Sequence, residues 1–314
     1  MQSVPAGLIH EAYKKFRPPG ANVPMLAIAG RTDRGVNAVQ QTMTFTTKVE
    51  LDQDNLKTAL QAAHQSLRIQ SVERCQVQFH ATFSAKNREY IYLLPPSLLW
   101  IKEDFNASYD EKLYLAANDE AKEIDKCIRN LESSDGADFW SFARATPDNK
   151  SSICQLYRAR AWAIKFPKCI GDKLSQAFLP PAIICISLKG NRFIRRLCRY
   201  SFNASLHFEY ENFNLTIDSE LSPSCRVIVA TAVRESSFIN GKIPKCFHEQ
   251  HRLNAATEAA ILEARGNVSS STMSSRDGHQ YRVLKNFINL KSRQATAPPA
   301  PPWGLSLVKA GYDQ

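Results

Sequence analysis

Gly30-Arg31-Thr32-Asp33-Arg34-Gly35 sets one carboxylate between two guanidinium groups on a short turn. Asp and Gly are ordinary turn residues, because Asp hydrogen-bonds its own backbone and Gly accepts positive φ. By that criterion alone the segment is simply a turn between two strands. The arginines add chemical content, since a nearby opposite charge favours the ionised form of a carboxyl group. An Asp33 held as carboxylate by Arg31 and Arg34 suits a nucleophile or an anchor better than a general acid.

A second basic element lies at residues 190–200, GNRFIRRLCRY. On a helix, Arg192, Arg195, Arg196 and Arg199 fall at i, i+3, i+4 and i+7 and share one face, while Phe193, Ile194, Leu197 and Cys198 share the other. Such a stripe is commonly a solvated face. Here an apolar strand and a Gly-Asn turn precede it, which sets the start of the helix at the end of a sheet strand, on a cleft wall. Arginines there can grip phosphates while one of them reaches a carboxylate across the cleft. Tyr90, in the alternating run 87–94, reads from spacing alone as a strand tyrosine packed in a core. Cys246, His248 and His251 are close in sequence but lack a fourth partner at zinc-like spacing, so no metal site is expected.

Periodicity supplies the elements that must hold these residues. Residues 3–16 carry apolar side chains at helical spacing, with Ser3 as cap and Pro5 in the first turn. Residues 27–29 and 36–45 read as strands on either side of the Asp33 turn. A second helix is expected over 53–67, strands over 69–77 and 87–94, and a helix around 112–131. Further strands follow near 153–166 and 181–188, then a helix from about 192. Tyr90, Tyr92 and Leu94 should share one face of their strand, and Ile91 and Leu93 the other. Pro95-Pro96 breaks the pattern and marks a boundary between an N-terminal subdomain, 1–95, and a C-terminal one, 96–314. From about 209 to 280 the chain reads as polar and irregular, with a loop at 268–278. A proline-rich approach over 297–302 leads to a last strand, 305–310. Strands and helices mix without strict βαβ repetition, which predicts the α+β class rather than a doubly wound sheet.

Composition narrows the partner. The 314 residues suffice for one large domain or two ordinary ones, and 44% hydrophobic content supports a sizeable core. Forty Lys and Arg against 30 Asp and Glu give a formal charge of +10, which favours a polyanion, nucleic acid ahead of membrane. No apolar run approaches the ~20 residues of a membrane span, and no signal peptide is expected. The eight cysteines form no CxxC pair, and several lie in apolar runs such as 182–186, where a free Cys behaves as a small hydrophobe. A reducing, intracellular setting is therefore expected, without distinction among cytoplasm, nucleus and mitochondrion.

Four segments, in order, resemble the TruA family of tRNA pseudouridine synthases. Residues 30–36, GRTDRGV, look like its catalytic motif, with Asp33 at the position of the nucleophilic aspartate. Residues 79–92, FHATFSAKNREYIY, are similar to its second motif, which puts Tyr90 at the position of the tyrosine that stacks on the target uracil. Residues 190–199 look like its third motif, with Arg199 where an arginine pairs with the aspartate. Residues 300–308, APPWGLSLV, resemble the family's closing strand. The resemblance covers roughly residues 2–200 and 281–312.

That resemblance implies a pseudouridine synthase fold, two α/β subdomains with mixed and antiparallel sheets around a central basic RNA-binding cleft. It implies an isomerase, an intramolecular transferase acting on tRNA in the anticodon arm. Asp33, Tyr90 and Arg199 would be catalytic, and Arg31, Arg34, Arg192, Arg195 and Arg196 would bind RNA, Arg31 filling the space of a flipped nucleotide. Neither a metal nor a small-molecule cofactor is called for, membrane is not a partner, and a homodimer is left open.

The chain also departs from the family pattern. The family begins with a strand and a Tyr-Asp-Gly…Gly-Trp-Gln-type segment, whereas this sequence starts at the following helix, so an unpaired sheet position is expected. Asn37 stands where the family usually has His, and Thr82 where it has Arg. Tyr200-Ser-Phe-Asn203 replaces the usual continuation of the third motif, and 201–280 align poorly. Two functions fit: a tRNA pseudouridine synthase using Asp33, or a catalytically weak or inactive RNA-binding relative, divergent or shortened at its N-terminus.

Overall fold

The computed structural model describes residues 26–30, 32, 35–47, 50–63, 68–96, 107–142, 152–166, 181–191, 193, 223–240, 283–291, 296–297 and 299–312. In chain order these form β1 (Ala27–Ile28), β2 (Asn37–Ala38), β3 (Met43–Thr44), α1 (Gln53–Ala63), β4 (Asn87–Leu94), α2 (Ala107–Arg129) and β5 (Ala137–Asp138). There follow a 3₁₀ turn (Phe139–Phe142), β6 (Ile153–Cys154), β7 (Leu156–Lys165), β8 (Ala182–Gly190), α3 (Pro223–Asn240), α4 (Val283–Leu290), a 3₁₀ turn (Pro302–Gly304) and β9 (Leu305–Gly311). The expected helices at 3–16 and from 192, and the loop at 268–278, lie outside the described residues.

β4 alternates as its sequence predicts: Tyr90, Tyr92 and Leu94 are buried while Leu93 is exposed. Both of its edges are paired, antiparallel to β8 and antiparallel to β9. The sheet continues to β7 beyond β8 and to β2 beyond β9, in the order β2-β9-β4-β8-β7. Only the β2–β9 pairing in it is parallel, so the sheet is mixed and the class is α+β. The sheet draws strands from both sides of Pro95-Pro96.

Leu113, Ala117, Ala121, Ile124 and Ile128 of α2 recur every three or four residues and form one buried stripe. That stripe packs over β7 and β8, with α3 and α4 against the same helix. α2 also solves a problem for β7, which is an edge strand among the described residues and has outward amides. The Asp125 carboxylate accepts from Ala161 N–H at 2.8 Å, and Glu132, just past the helix, accepts from Ala159 N–H at 2.6 Å.

A smaller cluster forms where α1 lays Leu56 and Leu60 on Leu26, Met43, Phe45, Leu51, Ile69 and Val72. Asp52 caps α1, its carboxylate accepting from Asn55 N–H at 2.7 Å.

Four sequence expectations are corrected. The strand expected near 153–166 divides into β6, which pairs with β5, and β7, which pairs with β8. The strand expected over 69–77 joins no ladder among the described residues: Ile69 and Val72 pack on α1, while Val77 is 96% exposed. Its apolar residues were satisfied three apart, not on one strand face. The single strand expected over 36–45 is two, because β2 pairs with β9 whereas β3 pairs with β1. The region expected to be polar and irregular contains α3, in which Cys225 and 227–236 are all buried. A helix covered on every side has no polar face to reveal its period.

The proline-rich approach to β9 is latched to α3. Ala300 N–H donates to Arg226 O at 3.1 Å, and Ala297 N–H donates to the Thr231 hydroxyl oxygen at 3.0 Å. That hydroxyl in turn donates to Val227 O at 2.7 Å. Replacing Thr231→Val keeps the shape and removes the acceptor of a buried amide, which costs about 1–3 kcal/mol. The expected result is a lower urea midpoint at unchanged m-value.

Burial pushes the Cys127 thiol up to about 12, with the charges of Glu235 and Glu123 adding to it, and burial alone pushes Cys185 up to about 12. Cys75 is exposed. Thiolate is the reactive form, so brief alkylation of the native protein at pH 8 should modify Cys75 and spare Cys127 and Cys185, as read by peptide mass spectrometry.

Candidate active site

The turn that carries Asp33 is fixed at both ends. On entering it, Ala29 N–H donates to Thr42 O at 2.9 Å, and Gly30 N–H donates to the Gln41 side-chain oxygen at 3.2 Å. The Gln41 amide donates back to Gly30 O, so one side chain closes the mouth of the turn. Space at position 30 is tight: a Cβ there would lie 3.1 Å from Leu307 Cδ2 and 3.3 Å from the Tyr90 hydroxyl oxygen, so a larger residue would have to push these side chains aside. At the far end Gly35 has φ +83, a conformation that L side chains rarely adopt. Val36 then packs on the main core and β2 joins the sheet beside β9. Arg31, Asp33 and Arg34 themselves lie outside the described residues.

Tyr90 sits on the central strand beside that mouth. The β4–β9 register shifts between Glu89 and Tyr90, where Glu89 faces Lys309 and Tyr90 faces Leu307. Bulges of this kind re-aim side chains and occur next to sites. The Tyr90 ring is only 1% exposed and meets the Phe193 ring edge-on, with centroids 5.2 Å apart at 89°. Phe193 belongs to the arginine-rich segment, whose Arg192, Arg195, Arg196 and Arg199 lie outside the described residues. The Gly-Asn turn before it is latched to the edge strand region. Asn191 N–H donates to Gln155 O at 3.0 Å, and its side-chain oxygen accepts from Gln155 N–H at 2.9 Å.

Three of the segments that sequence singled out therefore converge, through Gly30, Tyr90 and Phe193. Two departures from the family pattern have local roles. The Thr82 hydroxyl donates to Ile28 O at 2.6 Å, tying the second segment to the strand before the Asp33 turn. The Asn37 side-chain amide reaches Trp303 O at 3.5 Å, across to the approach to β9.

Sequence reasoning missed Arg88, which is 7% exposed on the same face of β4 as Tyr90. Its Nε donates to Ala29 O at 2.8 Å, and its terminal nitrogens donate to Thr82 O at 2.9 Å and Asn191 O at 3.4 Å. A signal was available: a charged residue two positions before Tyr90 falls on the inward face of an alternating strand, where charge is costly unless satisfied.

No family model matches the chain. A tRNA pseudouridine synthase A of Pelodictyon phaeoclathratiforme is 28% identical over 182 residues, covering 58% of this chain and 65% of that protein. The Borrelia garinii protein of the same name is 26% identical over 219 residues, 68% of this chain and 80% of its own. That of Geobacillus kaustophilus is 30% identical over 146 residues, 44% of this chain and 52% of its own. The chain is similar to proteins named tRNA pseudouridine synthase A. It spans just under two thirds of the first of these relatives and about half of the third.

Tyr312, just past β9, also supports the site. The Tyr312 hydroxyl donates to Ala81 O at 3.0 Å, and its ring lies 5.0 Å from that of Phe79. Burial raises the Tyr312 phenol above its ordinary value, while a hydrogen bond with Thr42 and the charge of Arg88 act the other way. A raised folded value means that the neutral phenol contributes stability below the unfolded value of about 10, and that this is lost as pH rises through the folded value. Melting temperatures measured from pH 8 to 11 should therefore fall more steeply at the alkaline end for the wild type than for Tyr312→Phe.

Proposed function

We propose that this chain is a tRNA pseudouridine synthase that isomerises uridine in the anticodon arm, with Asp33 as nucleophile. The observation that supports it most directly is the meeting of three separate segments at Gly30, Tyr90 and Phe193 in a homologue of proteins named tRNA pseudouridine synthase A. The reaction detaches uracil from its ribose, turns it and rejoins it through C5, whose hydrogen leaves to water. Atoms and oxidation state are conserved, so a carboxylate nucleophile suffices without metal or nucleotide cofactor.

In this proposal Arg31 and Arg34 keep Asp33 ionised, and Arg199 pairs with it across the cleft. Arg31 also takes the space of the flipped nucleotide, while Arg34, Arg192, Arg195 and Arg196 hold phosphates. Extruding the target costs a few kcal/mol, and stacking on an aromatic face such as Tyr90 returns about 1 to 3 kcal/mol. Because Tyr90 is covered in this structure, with the Phe193 ring edge-on against it, stacking requires that cover to open as the nucleotide arrives. The same proposal takes tRNA as partner, a basic cleft between subdomains 1–95 and 96–314, and a homodimer as the assembly to examine first.

Tritium release from [5-³H]uracil in a pool of tRNA transcripts tests it, with Asp33→Asn as control. Release by the wild type and a loss of at least about 10³-fold in the variant is the expected outcome, on the scale of removing a catalytic group. No release from either, by folded protein that binds tRNA, overturns the enzyme in favour of a binding-only relative.

A further inference from the structure

Arg88 is a cation buried at the end of the central strand, and each of its three hydrogen bonds goes to the main chain of a different segment. Ala29 immediately precedes the Asp33 turn, Thr82 lies in the loop before β4, and Asn191 opens the arginine-rich segment. The neighbours of Arg88 across both ladders are small, Gly190 on β8 and Ala310 on β9, so the sheet leaves room beside the side chain. A planar guanidinium spreads five donors in a fixed fork over three nitrogens and so reaches three separated acceptors, whereas the three donors of a lysine all radiate from one nitrogen on a flexible stem.

We infer that Arg88 is the positioning residue of the site, setting the Asp33 turn, the Tyr90 strand and the arginine-rich segment at fixed distances from one another. This rests on the function proposed above for its catalytic consequence, but the geometry it predicts is independent of activity. Backbone acceptors make the device insensitive to side-chain identity at 29, 82 and 191. It also explains why a cation is kept on a buried face that otherwise carries Tyr90, Tyr92 and Leu94. Arg88 itself touches no reacting atom; it acts through the segments it holds.

Hydrogen exchange on Arg88→Lys, with the full chain, reads this directly. Peptides covering 27–36, 79–84 and 190–194 should lose protection together, while the β4–β8 and β7–β8 ladders keep theirs. Unchanged protection in the three segments, or loss spread evenly through the ladders, overturns the inference. If the variant does not fold, native-state exchange of the wild type in rising urea decides: the three segments should open as one unit with a shared urea dependence, and three unrelated openings overturn it. In the tritium assay the folded variant should lose about 10- to 100-fold in kcat with KM and tRNA affinity within about threefold, the pattern of misplaced groups. Unchanged kcat in a variant whose segments have loosened overturns the catalytic part. Absence of release from the wild type instead sinks the enzyme proposal, and the exchange data still decide Arg88.

Discussion

β4 is paired along both edges, and that double pairing dictates where its side chains go. With a period of two, Arg88, Tyr90, Tyr92 and Leu94 all enter one face, and a slip of one residue would exchange them for Glu89, Ile91 and Leu93. Fold and site thus share one register. Tyr92 and Leu94 belong to the core under the helices, Tyr90 lies at its rim against Phe193, and Arg88 reaches the loops beyond it.

The strand that completes this arrangement comes from the far end of the chain. β9 lies between β2 and β4, so the last described strand forms the wall against which Gly30 packs and the edge to which the Asp33 turn returns. Its approach is held by α3 through Arg226 and Thr231, and by Tyr92, whose hydroxyl donates to Pro301 O at 3.1 Å. Residues 223–240, in the stretch that reads from sequence as polar and irregular, therefore support the closing strand.

Thr82 and Asn37 show how the surroundings of a site can change while its frame stays. Thr82 is short enough to bond Ile28 O within the frame, where a longer basic side chain would extend past it. Asn37 still crosses from β2 to the 3₁₀ turn before β9. Both substitutions use hydrogen bonds to main chain, which hold segments together without prescribing the chemistry between them.

Local periodicity was enough to read β4, β8 and β9 nearly to their ends and the body of α2 and β7, since apolar side chains recur in each at the spacing of its element. It also sufficed for the order of the segments that carry Asp33, Tyr90 and Arg199, because motif spacing is a property of the chain. Periodicity failed where a partner distant in sequence decides. The stretch 36–45 divides because two different strands claim its halves, α3 hides its period because it is covered all round, and 69–77 stays outside the ladders because α1 takes its apolar residues. Arg88 is the clearest instance. The sequence by itself sets the residue type and the face it occupies, but only tertiary structure brings three carbonyls from three segments within reach of one guanidinium, because hydrogen-bond geometry is satisfied in space and leaves no spacing along the chain.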